Sequence, residues 1–266
     1  MFESFILGAV QGVAEWLPIS SEAMIILVKN NFFFDGAGVG EHIREAIFLH
    51  LGTLLAAVIY FWPKIKVLIR SLFNYRYEST TSKKYLQFII VASAVSGLVG
   101  MGLIWVVEHY ESFFANQRSL NFFVAAFLLI TALLLFLSER TKKVAKTDPT
   151  TKDSLVTGIF QGFAAIPGIS RSGSTIASMG LLGFDKVWAL ETSFILSIPL
   201  VLGANIVLNS GEFLAFNVTH LVAILSSCVF GYLTIAALLN IVKKIRFSYF
   251  VAVFSLIIFM VTILFI

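Results

Sequence analysis

Phe247 to Ile266 contains no charged residue, no proline and no glycine, and three further apolar runs of comparable length, Phe88 to Val107, Phe122 to Leu137 and Leu221 to Val242, precede it. Each reaches or approaches the roughly 20 residues that cross the hydrocarbon core of a bilayer. With 58% of residues apolar and 13% charged, a water-soluble domain could not keep this surface from solvent. The expected fold class is an all-α polytopic membrane protein, one membrane domain over residues 1–266.

Charge sets the topology. Lys and Arg gather in Lys64 to Lys84, Arg140 to Lys152 and Lys243 to Arg246, which the positive-inside rule places in the cytoplasm. The connections Asp35 to Arg44, Glu108 to Arg118 and Asn209 to His220 are poorer in cations and face outward. This gives about six spans, over Glu45 to Trp62, Phe88 to Val107, Phe122 to Leu137, Trp188 to Leu208, Leu221 to Val242 and Phe247 to Ile266. The net charge of +4 thus reads as a topology signal, and no basic soluble region exists to hold nucleic acid. Met1 to Val28 lacks a basic n-region and carries Glu3, Glu15 and Glu22, so it reads as mature structure. The single cysteine, Cys228, sits in an apolar run and reads as lipid-facing or as core packing.

Two segments do not fit as spans. Ser154 to Phe184 must enter and leave on the cytoplasmic side, and residues 1–29 carry Pro18, Ser20 and Ser21 in mid-segment, which makes a continuous helix costly. Both read as re-entrant helical hairpins. They also resemble each other: Gly8-Ala-Val-Gln-Gly-Val-Ala-Glu15 through Pro18-Ile-Ser-Ser21 aligns with Gly158-Ile-Phe-Gln-Gly-Phe-Ala-Ala165 through Pro167-Gly-Ile-Ser-Arg171. Each is followed by a span opening on a glutamate, Glu45 or Glu191. One half starts outside and the other inside, as two inverted-topology repeats require, here about 1–137 and 154–266. Such repeats place their site where broken helices meet.

Pro167-Gly-Ile-Ser-Arg-Ser-Gly-Ser-Thr175 breaks a helix and restarts it with Ser170, Ser172, Ser174 and Thr175 around Arg171. Backbone N–H groups at a helix start and a guanidinium suit phosphate or diphosphate; the plainer alternative is an arginine that snorkels to the surface. Gln11 and Glu15 share one helical face directly before the break at Pro18. Glu15 needs a partner in an apolar medium, either Arg171 in a structural pair or a divalent cation bridging it to diphosphate oxygens. Ser20 and Ser21 follow the break, as nucleophile, hydrogen-bond donor or helix cap. His50 alone among the histidines lies within an inner span, while His42, His109 and His220 sit in or beside the outer connections. Glu45 and Glu191 either line the approach or face water at the interface.

Three stretches together resemble the undecaprenyl-diphosphate phosphatase family, the bacitracin-resistance proteins: Gln11-Gly-Val-Ala-Glu-Trp-Leu-Pro-Ile-Ser-Ser21, Leu49-His-Leu-Gly-Thr-Leu-Leu-Ala56 and Pro167 to Thr175. The resemblance implies six spans with two re-entrant hairpins in inverted repeats and a site opening to the outer side of the cell membrane. It implies hydrolysis of the terminal phosphate of polyprenyl diphosphate, recycling the lipid carrier of envelope sugars, with Mg or Ca as cofactor. It carries over Gln11 and Glu15 as the first motif, with Glu15 as metal ligand, Ser21 as nucleophile candidate, and Arg171 with Ser170, Ser172 and Thr175 as phosphate clamp. Ser20 and His50 join as substrate-binding candidates. Expected partners are the lipid substrate and membrane lipids, and a homodimer is one assembly open to the chain.

Two departures stand out. Gln11 occupies a position where many members have glutamate, and Ser21 is followed by Glu22-Ala-Met24 where relatives commonly continue Thr-Gly-His. Either Glu22 or His50 replaces that histidine, or its role is dispensable, or activity is changed. A carrier of lipid phosphate or another anion, built from the same broken helices, and a non-catalytic lipid-diphosphate-binding homologue are the rival readings.

Overall fold

The computed structural model describes residues 1–33, 39–109, 116–141, 146, 148–209 and 217–265. The regular structure of the described residues is all helical, without a strand. The helices are α1 (Phe2–Ala14), α2 (Ser21–Phe32), α3 (Val39–Tyr60), α4 (Trp62–Phe73), α5 (Thr80–His109), α6 (Gln117–Arg140), α7 (Thr151–Gly162), α8 (Arg171–Leu181), α9 (Lys186–Leu208), α10 (Val218–Ile241) and α11 (Phe247–Phe265).

Five of these, α5, α6, α9, α10 and α11, are long and apolar enough to cross a membrane, and a sixth candidate is α3 taken together with α4. The chain is therefore a multi-pass membrane protein. Each expected span coincides with a helix, but the helices run past the hydropathy edges because polar caps extend them. Asn116 accepts the N–H groups of Arg118 and Ser119 to start α6, and Asp185 does the same for Val187 and Trp188 at α9. The span expected to end at Trp62 stops at Tyr60 instead. Pro63 is tolerated in the first turn of a new helix, and the chain bends by 85° into α4. That helix is amphipathic, with Ile65 and Leu68 packed inward and Lys64, Lys66 and Arg70 exposed. The expected outer connections fall largely on 34–38, 110–115 and 210–216, outside the described residues.

Both re-entrant expectations meet short helices. α1 and α2 have 13 and 12 residues, α7 and α8 have 12 and 11, roughly 16–20 Å each at 1.5 Å per residue and too short for a core about 30 Å thick. α1 packs on α2 and α7 on α8, so each pair is a hairpin. The first hairpin leans on α10 and the second on α5. Glycines decide how closely. A Cβ on Gly12 would stand 2.7 Å from the Gly231 nitrogen and the Ser227 oxygen, and one on Gly158 2.7 Å from the Ala92 oxygen; only a bare backbone fits. Side chains add hydrogen bonds that an apolar medium does not compete for: Asn205 Nδ2 donates to the Ile47 carbonyl at 2.8 Å, Ser227 Oγ to Leu49 at 3.0 Å and Ser255 Oγ to Ala125 at 2.7 Å. The main core holds Trp16, Phe88, Phe184 and Phe194, all fully buried. Its effect is to fix the two hairpin tips against α3, α6 and α9.

Candidate active site

The first tip is built from the break that Pro18 imposes. α1 ends at Ala14, Glu15 follows with its N–H still bonded to the Gln11 carbonyl, and α2 restarts at Ser21. Ser20, between them, has φ +63°, the only positive φ at a non-glycine residue among the described residues. Such a conformation costs about 1–3 kcal/mol and persists only where surroundings enforce it. The second tip uses Gly168 at φ +95°, where any Cβ would also lie 2.8 Å from the Val124 Cα. Ser170 then caps α8 by accepting the Gly173 N–H at 3.2 Å, so Arg171 is the first helical residue, at the positive end of the helix dipole.

Glu15 joins the two tips. Its Oε1 accepts from a guanidinium nitrogen of Arg171. Its Oε2 accepts from Gln11 Nε2 at 3.0 Å and from Ser21 Oγ at 2.6 Å, and stands 2.9 Å from His50 Nε2. Ser21 Oγ is also 3.4 Å from that imidazole nitrogen. His50 Nδ1 lies 2.5 Å from the Ala46 carbonyl, which can only accept, so Nδ1 carries a proton and Nε2 faces the carboxylate. The second guanidinium arm of Arg171 donates to the Ser193 carbonyl at 3.1 Å, and the group lies 5.8 Å from the centre of the Trp16 ring. The Glu15 side chain is 3% exposed and that of Arg171 13%; in so dry a place the pair is weakly screened and both partners depend on it.

These groups head a cavity of about 440 Å³ lined on its polar side by Glu15, Ser20, Ser21, Glu22, His50, Ser170 and Arg171. Elsewhere its walls are mainly Gly97, Gly100, Met101, Ile104 and Trp105 of α5 and Gly203, Ala204, Val207 and Leu208 of α9. A charged head over an apolar groove suits an amphiphile with an anionic headgroup.

Sequence reasoning thus named Glu15, Ser20, Ser21, His50, Ser170 and Arg171, and the fold brings all six to one cavity. Gln11, Ser172 and Thr175 stand behind the wall. Gln11 supports Glu15, Ser172 Oγ donates to the Leu17 carbonyl at 3.1 Å and so ties one tip to the other, and Thr175 Oγ1 donates to the Arg171 carbonyl at 2.6 Å. Glu45 pairs with Lys29 and Glu191 with Lys64, and neither lines the cavity. His109 stacks on Trp105, and His220 caps α10; the side chain of His42 lies outside those described. What the sequence did not signal is the Ser193 carbonyl, because a backbone acceptor leaves no trace in residue type, and the polar groups Ser93, Ser96 and Gln161 that also line the cavity.

Comparison with known proteins gives the family. The family model described as bacitracin resistance protein BacA matches residues 4–260. A protein of Methanococcoides burtonii named undecaprenyl-diphosphatase is 39% identical over 252 residues, covering 93% of each chain. Relatives of that name in Bacteroides fragilis, at 32% identity over 98% of this chain and 97% of theirs, and in Halalkalibacterium halodurans, named undecaprenyl-diphosphatase 2, at 33% over 94% and 91%, are similar. With the match running through both hairpins and every helix between them, this chain belongs to the bacitracin resistance protein BacA family.

Proposed function

We propose that the protein hydrolyses undecaprenyl or a similar polyprenyl diphosphate to the lipid monophosphate and inorganic phosphate, and so returns the lipid carrier to cell-envelope glycan synthesis. The observation that carries this reading is the Glu15–Ser21–His50–Arg171 constellation at the head of an otherwise apolar groove. The name borne by the relatives supports it.

The prenyl chain would lie between α5 and α9 with the diphosphate at the polar end. Arg171 binds the terminal phosphate in exchange for part of its contact with Glu15, and the α8 N-terminus adds its dipole. The Ser21 oxygen, or a water in its place, attacks the terminal phosphorus. A new P–O bond forms, the bond to the bridging oxygen breaks, and its electron pair leaves with the lipid monophosphate. The attacking proton passes to Glu15 Oε2, 2.6 Å away, and His50 Nε2 beside it is placed to move that proton on. If serine attacks, water releases phosphate from it in a second displacement. Little covalent help is needed, since alignment and electrostatics supply most of such catalysis. In this scheme Gln11, Ser172 and Thr175 position Glu15 and Arg171, and Ser20 and Ser170 lie within reach of phosphate oxygens. His50, from α3, takes the place of the histidine that Met24 replaces.

A divalent cation fits the donor set. Glu15 and Glu22, which line the cavity, are hard oxygen donors of the kind Mg and Ca accept, and behind them Gln11 Oε1 is buried without a hydrogen-bond partner among the described residues. No group of three or more His, Cys, Asp or Glu is assembled for a metal among the described residues, so substrate oxygens would complete the shell. Bound there, the ion would neutralise diphosphate charge.

Orientation follows the basic segments, which favour a site open to the outer side, and the recycling of an envelope lipid carrier favours the plasma membrane. The inverted-repeat reading is supported by the exchanged packing of the hairpins, α1 on α10 and α7 on α5, through Gly8 and Gly12 in one half and Gly158 and Gly162 in the other.

The deciding experiment is phosphate release from a polyprenyl diphosphate by detergent-purified protein, with and without Mg or Ca, alongside Arg171→Ala and Glu15→Gln. Metal-dependent release lost in both variants is the expected result. A folded wild type that binds the lipid without releasing phosphate would point to a carrier or a binding protein.

A further inference from the structure

The exposed apolar surface of α3 continues past its bend into α4. Leu55, Ile59 and Trp62 stand exposed three to four residues apart, a stripe that meets hydrocarbon in a membrane protein. After Tyr60 the chain turns by 85°, so with α3 crossing the bilayer, α4 runs near the plane of its surface. At 12 residues, about 18 Å, α4 is too short to cross by itself.

α4 has three faces. Ile65 and Leu68 pack on the core and Ser71 is buried, so that side belongs to the protein. Trp62, Ile69 and Phe73, at helical spacing, are all exposed, Phe73 at 79%; they prolong the lipid-facing stripe of α3. Lys66 and Arg70 are exposed along one edge of this apolar face. Lys64 is spent elsewhere, paired with Glu191 at 2.6 Å. Between Trp62 and Lys84 the chain carries six Lys and Arg and one carboxylate, Glu78, which Arg70 Nε meets at 3.2 Å with its side chain still 76% exposed. Cations therefore remain in excess. Apolar side chains bordered by surplus positive charge match a surface that is apolar below and anionic above, the headgroup layer of an anionic leaflet. A second copy docked face to face here would instead set these cations against their own equivalents.

We propose that α4 is a lipid-binding helix, separate from the groove between α5 and α9, in which Lys66 and Arg70 hold the phosphate of an anionic phospholipid while Trp62, Ile69 and Phe73 dip into its acyl chains. The long stems of the two cations lie along the apolar edge and lift their charges to headgroup level. The Arg70 guanidinium has donors left for a phosphate after Glu78 has taken one. This site stands independently of the phosphatase reading, because none of its residues lines the catalytic cavity.

The test places a bimane dye on Ile69→Cys in the full chain carrying Cys228→Ala, reconstituted in phosphatidylcholine vesicles that contain brominated phosphatidylglycerol or brominated phosphatidylcholine at equal mole fraction. Phosphatidylglycerol should quench the dye preferentially, with a relative affinity of roughly fivefold for each cation engaged. Lys66→Gln should cut that preference about fivefold with the melting temperature unchanged, Lys66→Gln/Arg70→Gln should abolish it, and raised salt should weaken it. The same dye on Leu133→Cys, an exposed position within α6, should be quenched equally by both lipids. Equal quenching at position 69 would mean that α4 meets the bilayer without selecting charge. A preference that survives Lys66→Gln/Arg70→Gln would place the lipid on other residues. Absence of quenching would put the face in water, or against a second copy if disulfides form between unlabelled Ile69→Cys chains. Each of these three results overturns the proposal.

Discussion

Glu15 and Arg171, separated by 156 residues, meet as an ion pair between the tips of two broken helices. Neither tip could keep its charge in this environment alone. A buried pair is weak evidence for stability but strong evidence of mutual dependence, since removing one partner strands the other at a cost of about 3–5 kcal/mol. Here Gln11, Ser21 and His50 also serve Glu15, which lowers the cost. We expect Arg171→Ala to fold with a reduced melting temperature and to lose phosphate release by roughly 10²–10⁴-fold. Arg171→Lys should restore little, because a point charge cannot hold Glu15 and Ser193 together. Near-normal turnover in Arg171→Ala would sink the assignment.

His50 should matter for chemistry more than for binding. Its Nε2 faces both Glu15 and Ser21, so His50→Gln should lower kcat about 100-fold with KM changed little. Met24 does not line the cavity. Adding the familiar histidine as Met24→His in the His50→Gln background should therefore fail to rescue turnover. Rescue would show that α2 can present an imidazole to the phosphate after all.

Much of this was legible in the chain. Apolar runs and cation clusters suffice for the spans, and Pro18 and Pro167-Gly168 mark the breaks, because proline and glycine alter backbone options in any context. Glu15 and Arg171 stood out since a charge in an apolar segment demands a reason. The ion pair between them was one of the partners open to Glu15, and only the fold brings the two residues together. His50 stood out as the one histidine within an inner span, and the fold sets it beside Glu15 and Ser21 at the first tip. Ser93 and Ser96 gave no signal, because small polar residues are common in membrane helices as packing elements, and Gln161 entered only as the internal counterpart of Gln11.

Glycines should separate into two classes. At Gly12 an added methyl meets backbone atoms of Gly231 and Ser227 that cannot swing aside, whereas at Gly97 and Gly203 nothing lies within 4 Å. Gly12→Ala should destabilise by about 1–3 kcal/mol, read as a lower melting temperature. Gly97→Ala should be neutral or stabilising, with helix propensity favouring it by up to about 1 kcal/mol. Gly97 lines the groove, so Gly97→Leu should fold normally yet raise KM for long-chain substrates and spare short-chain ones. Equal effects on both chain lengths would remove the prenyl chain from this groove.

The entry to the second hairpin offers a test by pH. Thr150 and Asp153 form a reciprocal cap on α7: Asp153 Oδ2 accepts from the Thr150 N–H at 2.6 Å and from its hydroxyl at 2.7 Å, and Lys146 Nζ stands 2.6 Å away. Burial alone would push the Asp153 carboxyl up, but Lys146 and the Thr150 bonds outweigh it and hold it below the ordinary carboxylate range. A group depressed in the folded state contributes stability that is complete above its unfolded pKa, about 4, and is lost as pH falls through the folded value. Asp153→Asn should therefore melt below wild type at pH 7 by roughly 1 kcal/mol of cap energy. The gap between the two proteins should hold down to about pH 4 and close only at more acidic pH. A gap that closes already between pH 7 and 5 would place the titration on another group and deny the cap its role in anchoring the hairpin that carries Arg171.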